Sequence, residues 1–273
     1  MSPSRLIVML LVAGLLLAGC GERDHDTLIL TGSSTVAPPL SDIAADFEAA
    51  NPGVRVDIQS GGSSRGIVDV RRGTADLGMS SRDLRADEDD LLSHLVARDG
   101  ISLLVHRANP VTNLSDEQVR KLFRGEIPNW SELGDFDAPV TIVHKGEGRA
   151  TLEVFLEHFQ LNNGEVKPDL IVGENQQGIR SVAGNRGAIG YVSIGAATHE
   201  AESGTPIRSL AIDGVTPDAD TVARGDYPLT RNLILVSNGP PEGLLADFLT
   251  FVHSDTGGQR FQKHFFTPAG KGD

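Results

Sequence analysis

The sequence predicts an α/β protein built from mainly parallel sheets covered by helices, and two observations predict it. Short β-branched and leucine-rich runs alternate with stretches whose apolar residues recur at helical spacing. The connections between a run and the helical stretch after it are short and built from Gly, Ser and Thr, as βα loops are. No repeat of fixed period, low-complexity segment or long linker interrupts the alternation. At 273 residues the chain is long enough for one large or two ordinary domains with real cores.

Each element can be justified in order. "TLIL" reads as a strand and leads through "TGSSTVAPPL" into "SDIAADFEAANPG", where Ile43, Phe47 and Ala50 share a helical face until Asn51-Pro52-Gly53 stops it. "VRVDIQ" alternates as a strand does, then "SGGSSRG" precedes the helical "IVDVRRG". "ADLGM" is a short strand followed by "SSRDLRADEDDLL", whose acidic run reads as a solvated helix start with carboxylates near the positive helix end. "SLLVHRANP" runs as a strand toward Pro110, and "SDEQVRKLFRG" is a helix with a Ser/Asp start and a glycine stop. "VTIVHK", "GEGRAT" and "LEVFLEHF" repeat strand, loop and helix. "QQGIRSVAGNRG" with "AIGYVSI" gives another helix and strand. "RNLILVSNG" is a last strand before closing helices in "EGLLADFLTFVHSDTGGQRFQKH".

The first residues belong to export rather than to the fold. Arg5, the apolar "LIVMLLVAGLLLAG" and the lack of any acid before Glu22 read as a secretory signal over residues 1–19, too short for a comfortable membrane span. "LAGC" resembles the lipobox of bacterial lipoproteins, which predicts lipidation of Cys20 and a tether over residues 20–26. Cys20 is the single cysteine, so the mature domain has no internal disulfide and rests on its core. The expected location is the periplasm or cell surface, with the lipid as the only membrane contact.

Formal net charge is −13, which argues against nucleic acid and against an anionic lipid surface as partner. A small anion responds to local groups, and three loops offer them: "TGSST", "SGGSSRG" and "GEGRAT", each between a strand and a helix. At a helix beginning the first N–H groups lack partners and the peptide dipoles point positive outward; glycine lets the backbone approach, and hydroxyls add donors. "SSRD" adds Arg82, whose planar fork suits oxyanion oxygens. Ser and Thr are also ordinary N-caps, so any one loop alone reads as structural. The conjunction of three loops and an arginine points to a bound oxyanion. No Walker loop and no dinucleotide fingerprint is present.

"GSSTVAPPL", "IQSGGSSRGIVDVRRGTADLGMSSRDL", "NPVTNLSDEQVRKLFRGEIPNW", "GNRGAIGYVSI" and "YPLTRNLILVSNG" together resemble the PstS-type phosphate-binding proteins of ABC importers, from about Thr27 to Thr267. The resemblance implies a two-lobed periplasmic-binding-protein fold of type II with the ligand buried at the hinge. One lobe would take residues 27–105 plus 231–268, the other 106–230. It places a first phosphate loop on Ser33, Ser34, Thr35 and the backbone of Val36, and a second on Gly62, Ser63 and Ser64. A third falls on Ser81 and Arg82, with Asp83 the nearest candidate to accept a phosphate proton, and Glu147 a second candidate. The fourth, usually "GSGT" preceded by arginine, falls on Gly148, Arg149, Ala150 and Thr151, with Lys145 in the arginine's place. Arg149 and Ala150 stand where the family has a small serine and a glycine. Donation to the anion and filling of the pocket both stay open for Arg149.

The remaining chemistry is sparse. The eight histidines show no metal-ligand spacing, no EF-hand loop spacing exists, and no nucleophile elbow appears, so neither metal nor cofactor is expected. Phe123 and Trp130 read as packing residues. The expectation is a monomeric binding protein, not an enzyme, that passes phosphate or a related oxyanion to an ABC permease. Alternatives are a sensor or surface lipoprotein, a binder of another small anion, and a phosphatase on the same scaffold.

Overall fold

The computed structural model describes residues 26–270; the predicted signal segment, Cys20 and the tether up to residue 25 lie outside the described residues. The fold is α/β with two cores. One is drawn from Leu28–Ala97 and Leu233–Phe266, the other from Ile101–Leu229. A smaller cluster adds Ile67, Val70 and Ile234 to the first side, and another adds Val143, Ile179 and Val192 to the second. Phe123 and Trp130 are fully buried in the second core, where Trp130 Nε1 donates to the Gly187 carbonyl at 2.8 Å.

The first core is formed around β1 (Asp26–Gly32), α1 (Ala37–Ala50), β2 (Val54–Ser60), α2 (Ser63–Arg71) and β3 (Leu77–Ser80). α1 begins earlier than the sequence suggested because Pro38 and Pro39 sit in its first turn, where a missing N–H costs nothing. β1 pairs parallel with both β2 and β3. The expected helix after Ser80 does not form: only a short 3-10 turn, Ala86–Glu88, precedes β4 (Leu92–His106). Glu88 is buried there rather than solvated, because Arg82 partners it.

β4 belongs to both cores. Its first half pairs antiparallel with β10 (Thr230–Ser237), and its second half pairs antiparallel with β8 (Ala188–Ser193) and β9 (Ile207–Ile212). Around it the second core collects β5 (Asn113–Leu114), α3 (Asp116–Phe123), β6 (Thr141–Lys145), α4 (Ala150–His158), β7 (Leu170–Val172), α5 (Asn175–Ala183), α6 (Ile194–Glu202) and α7 (Ala219–Ala223). β6 pairs parallel with β7 and β8. The strand order is β2-β1-β3-β10-β4-β8-β6-β7, so each lobe carries a parallel set and the antiparallel β10/β4 ribbon joins the two. α8 (Gly243–Val252), α9 (Asp255–Lys263) and β11 (Thr267–Pro268) return to the first core. Gly100 marks the change of core: a Cβ there would meet Ile194 Cδ1 at 2.5 Å. Among the described residues no helix is long and apolar enough to cross a membrane.

Candidate anion-binding site

Parallel strands end on one edge, so the loops that leave them gather there. Gly32 is level with Ser60 and Met79, which brings the loops at Ser33–Val36, Gly61–Gly62 and Ser81 together. On the other side Lys145 is level with Val172, which brings together the loops at Gly146–Arg149 and Gly173–Glu174. The two edges face and touch. Ser64 N–H donates to the Gly148 carbonyl at 3.3 Å, and Asn175 Nδ2 donates to Thr35 Oγ1 at 3.1 Å.

Between them lies a tight cavity of about 10 Å³, far below the roughly 300–1,000 Å³ of sites that take drug-sized molecules. Ser33, Ser34, Thr35, Gly62 and Ser63 line it from one lobe with Ser81; Arg149, Ala150, Thr151 and Gly173 line it from the other. Gly62 has φ 102°, a left-handed conformation that favours glycine, and a Cβ there would lie 2.7 Å from the Gly148 carbonyl.

Three helices begin at this cavity, and their N-caps are Val36 (α1), Gly62 (α2) and Arg149 (α4). None of the three caps its helix through a side chain. At the N-caps of α3, α6, α7 and α9, Ser115, Ser193, Asp218 and Ser254 each accept a bond from a helix N–H, whereas Glu174 of α5 and Glu242 of α8 do not. Helix beginnings without such a partner leave N–H groups and dipole for an anion.

Behind the lining residues lies a second cation, Arg231 on β10. Its guanidinium is buried and donates to Asp99 Oδ2 through Nε at 3.2 Å and Nη2 at 2.9 Å. The two residues are cross-strand partners in the β10/β4 ribbon. Arg231 also donates to Ser81 Oγ at 3.3 Å, Thr151 Oγ1 at 2.9 Å and Thr35 Oγ1 at 3.2 Å, touching hydroxyls of both lobes. Sequence reading missed this residue. A usable signal was present: an arginine and an aspartate each sit in an otherwise apolar strand, in "TRNLILV" and "ARDGISLLV".

Lys145 stands one residue behind the cavity. Its ammonium donates to Asn175 Oδ1 at 3.3 Å, which leaves the Asn175 amide nitrogen to face Thr35. Burial pushes its pKa down to about 7; Arg231 and Arg149 push the same way, and Glu174 opposes them.

The other predicted residues divide. Val36 is fully buried as the N-cap of α1. Ser64 spends its N–H on Gly148, and its hydroxyl lies 3.4 Å from Glu153 Oε1. Arg149 lines the cavity, its side chain passing beside Gly62 and Gly173, and its Nη1 is drawn to Glu174 Oε1 at 2.5 Å. The fork expected of Arg82 toward an anion is turned instead onto carboxylates. Nη1 and Nη2 donate to Glu88 at 2.7 and 2.8 Å, and Nε lies 2.7 Å from Glu153 Oε2. Burial opposes charge on both partners, yet hydrogen bonds from Arg82 hold Glu88 below the usual carboxylate range, and Glu88 in turn raises Arg82. Asp83 is exposed and accepts from Asn232 at 2.9 Å, and Glu147 is exposed; neither lines the cavity. Both were expected as proton acceptors, and the loop directions carry them outward.

A profile of the PBP superfamily domain matches residues 21–256. The chain belongs to the PBP superfamily. Within it, similarity to PstS-type proteins runs along nearly the whole chain. The phosphate-binding protein PstS of Bacillus subtilis is 29% identical, covering 93% of this chain and 90% of that protein. A structure from Clostridium perfringens, named as a phosphate ABC transporter substrate-binding protein with bound phosphate, is 29% identical with a TM-score of 0.82, covering 90% of this chain and 100% of that one. An ABC-type phosphate transport receptor from Vibrio cholerae is 26% identical with a TM-score of 0.73, covering 88% and 99%. The fold is that of the two-lobed binding proteins, and its PstS-type relatives are binding proteins rather than enzymes.

Proposed function

We propose that this PBP-superfamily chain captures inorganic phosphate or a related tetrahedral oxyanion between its lobes for an ABC permease, tethered to a bacterial membrane through lipid on Cys20. Its phosphate-binding relatives support the ligand class, and one observation on this chain carries the reading. Three helix beginnings without side-chain caps, from both lobes, meet at one small cavity backed by a buried arginine. The binding set is then Ser33, Ser34, Thr35, Gly62, Ser63, Ser81, Arg149 and Thr151, with Val36 contributing its backbone and Arg231 the charge. Lys145, Ser64 and Gly148 hold this set in place.

The chemistry follows from closure. Neither lobe alone supplies the whole cage, so an anion favours the closed state by the contacts that only closure completes. Each charge-assisted hydrogen bond is worth about 1.5–3 kcal/mol, and several act together. The −13 net charge of the chain is no obstacle, because the donors next to the ligand act at short range and most surface charges are screened beyond a Debye length of about 8 Å. Calorimetric titration of the mature domain with phosphate, sulfate, molybdate and arsenate tests the reading: at least one binds with measurable heat and raises the melting temperature. Silence with all of them ends it.

A further inference from the structure

The proposed ligand cage points hydrogens inward and presents no carboxylate, and this follows from how its hydroxyl groups and the nearby acids are held. A hydroxyl carries one donor and two acceptor lone pairs, so a protein donor on its oxygen turns the proton elsewhere. Thr35 Oγ1 receives two, from Arg231 Nη2 at 3.2 Å and Asn175 Nδ2 at 3.1 Å, and its proton is all it has left to give. Thr151 Oγ1 and Ser81 Oγ receive Arg231 Nη1 at 2.9 and 3.3 Å. Ser63 Oγ receives the Ser81 N–H at 3.2 Å, and Ser33 Oγ receives the Thr35 N–H at 3.2 Å. All five oxygens lie on residues that line the cavity.

The carboxylates nearby are spent as well. Asp99 is held by Arg231, Glu174 by Arg149, and Glu153 by Arg82 and Arg85, at 2.9, 2.5, 2.7 and 2.6 Å. Among the described residues no Asp or Glu lines the cavity. A ligand oxygen that carries a proton therefore finds no carboxylate to receive it.

We infer that the cavity selects tetrahedral oxyanions by their proton-free oxygens, so that it takes a fully ionised anion such as sulfate about as well as phosphate. This rests on the oxyanion reading above and narrows it. Phosphate near neutral pH keeps at least one proton, and sulfate keeps none. A site with a carboxylate acceptor separates the two by penalising sulfate, because an unprotonated oxygen would face a negative charge. A donor cage applies no such penalty.

The test is a competition titration of the intact mature chain with sulfate and phosphate at one pH, repeated on Thr151→Val, which removes a proton donor while keeping the shape. The two dissociation constants of the unmodified chain should fall within about tenfold of each other, or 1.4 kcal/mol. Thr151→Val should weaken both anions by the same factor. Preference for phosphate by more than about 100-fold, twice that free energy, overturns the inference while leaving oxyanion binding intact. A Thr151→Val loss confined to phosphate also overturns it, since that hydroxyl would then be accepting the ligand's proton. Binding of neither anion removes this inference together with the reading it rests on.

Discussion

Two arginines stand beside the same loop cluster and are partnered differently. Arg82 sits at the outer rim of the cleft, balanced by Glu88 and Glu153. Arg231 sits behind the cavity's lining with one carboxylate, Asp99, and spreads its remaining donors over three hydroxyls. An arginine whose Nη donors are spent on a carboxylate and a backbone carbonyl has no fork to offer a ligand. One facing a single carboxylate, with polarised hydroxyls in front, passes its field on to whatever they touch. The difference teaches that partners, rather than proximity in sequence to a Gly/Ser loop, decide which cation serves an anion.

The sharpest way to break the comparison is to remove Arg231. Arg231→Met leaves Asp99 charged and unpaired in the core, which should cost about 3–5 kcal/mol of stability. The double variant Arg231→Met/Asp99→Asn should recover much of that loss in a denaturant melt yet still fail to bind oxyanions by calorimetry. Recovery of binding would show that the cavity does not use this cation.

Lys145 offers the next largest effect. Its folded pKa of about 7 lies below the unfolded value of about 10.4, so between those pH values the unfolded chain holds a proton that the folded chain lacks. Stability of the ligand-free protein should therefore rise with pH across that window, by at most about 1.4 kcal/mol per pH unit. Lys145→Met should flatten this rise in melts taken at pH 7, 8 and 9. A parallel slope in the variant would assign the dependence to other groups.

At the rim, Arg82→Met should destabilise by about 1–3 kcal/mol because Glu88 loses its buried partner. Anion affinity should fall by less than about tenfold, or 1.4 kcal/mol. A hundredfold loss of affinity would return Arg82 to the ligand. The smallest effect is expected of Glu153→Gln. It loosens a bridge between the lobes to Arg82 and Arg85 without touching the cavity, and should weaken anion binding by about 1 kcal/mol through poorer closure. Small-angle scattering should then show a more open ligand-free form.

Much of this fold was legible in the sequence because its signals are local. The helix at Asp116–Phe123 announces itself by Ser115 and a glycine stop, and the strands before each Gly/Ser loop by β-branched runs. The meeting of the loops at Ser33–Val36, Gly62 and Gly148–Thr151 was legible through their shared composition and the family resemblance. What failed depends on side-chain pairing, which local pattern does not show. The acidic run after Ser80 reads as a helix start, but Glu88 is drawn under Arg82 and the chain turns into β4. Arg82 looked like a ligand because "SSRD" adjoins a loop; its partner Glu153 lies in the other lobe. Arg231 looked unremarkable because Asp99 is a neighbour only across a strand pair.

That strand pair has one more consequence. Arg231 and Asp99 lie where the β4/β10 ribbon crosses from one core to the other, so in the proposed closure they would stand at the pivot. Like the rivet of a pair of scissors, they stay put while the blades part. Because that guanidinium bonds hydroxyls on both blades, the proposed closing would gather them onto one point.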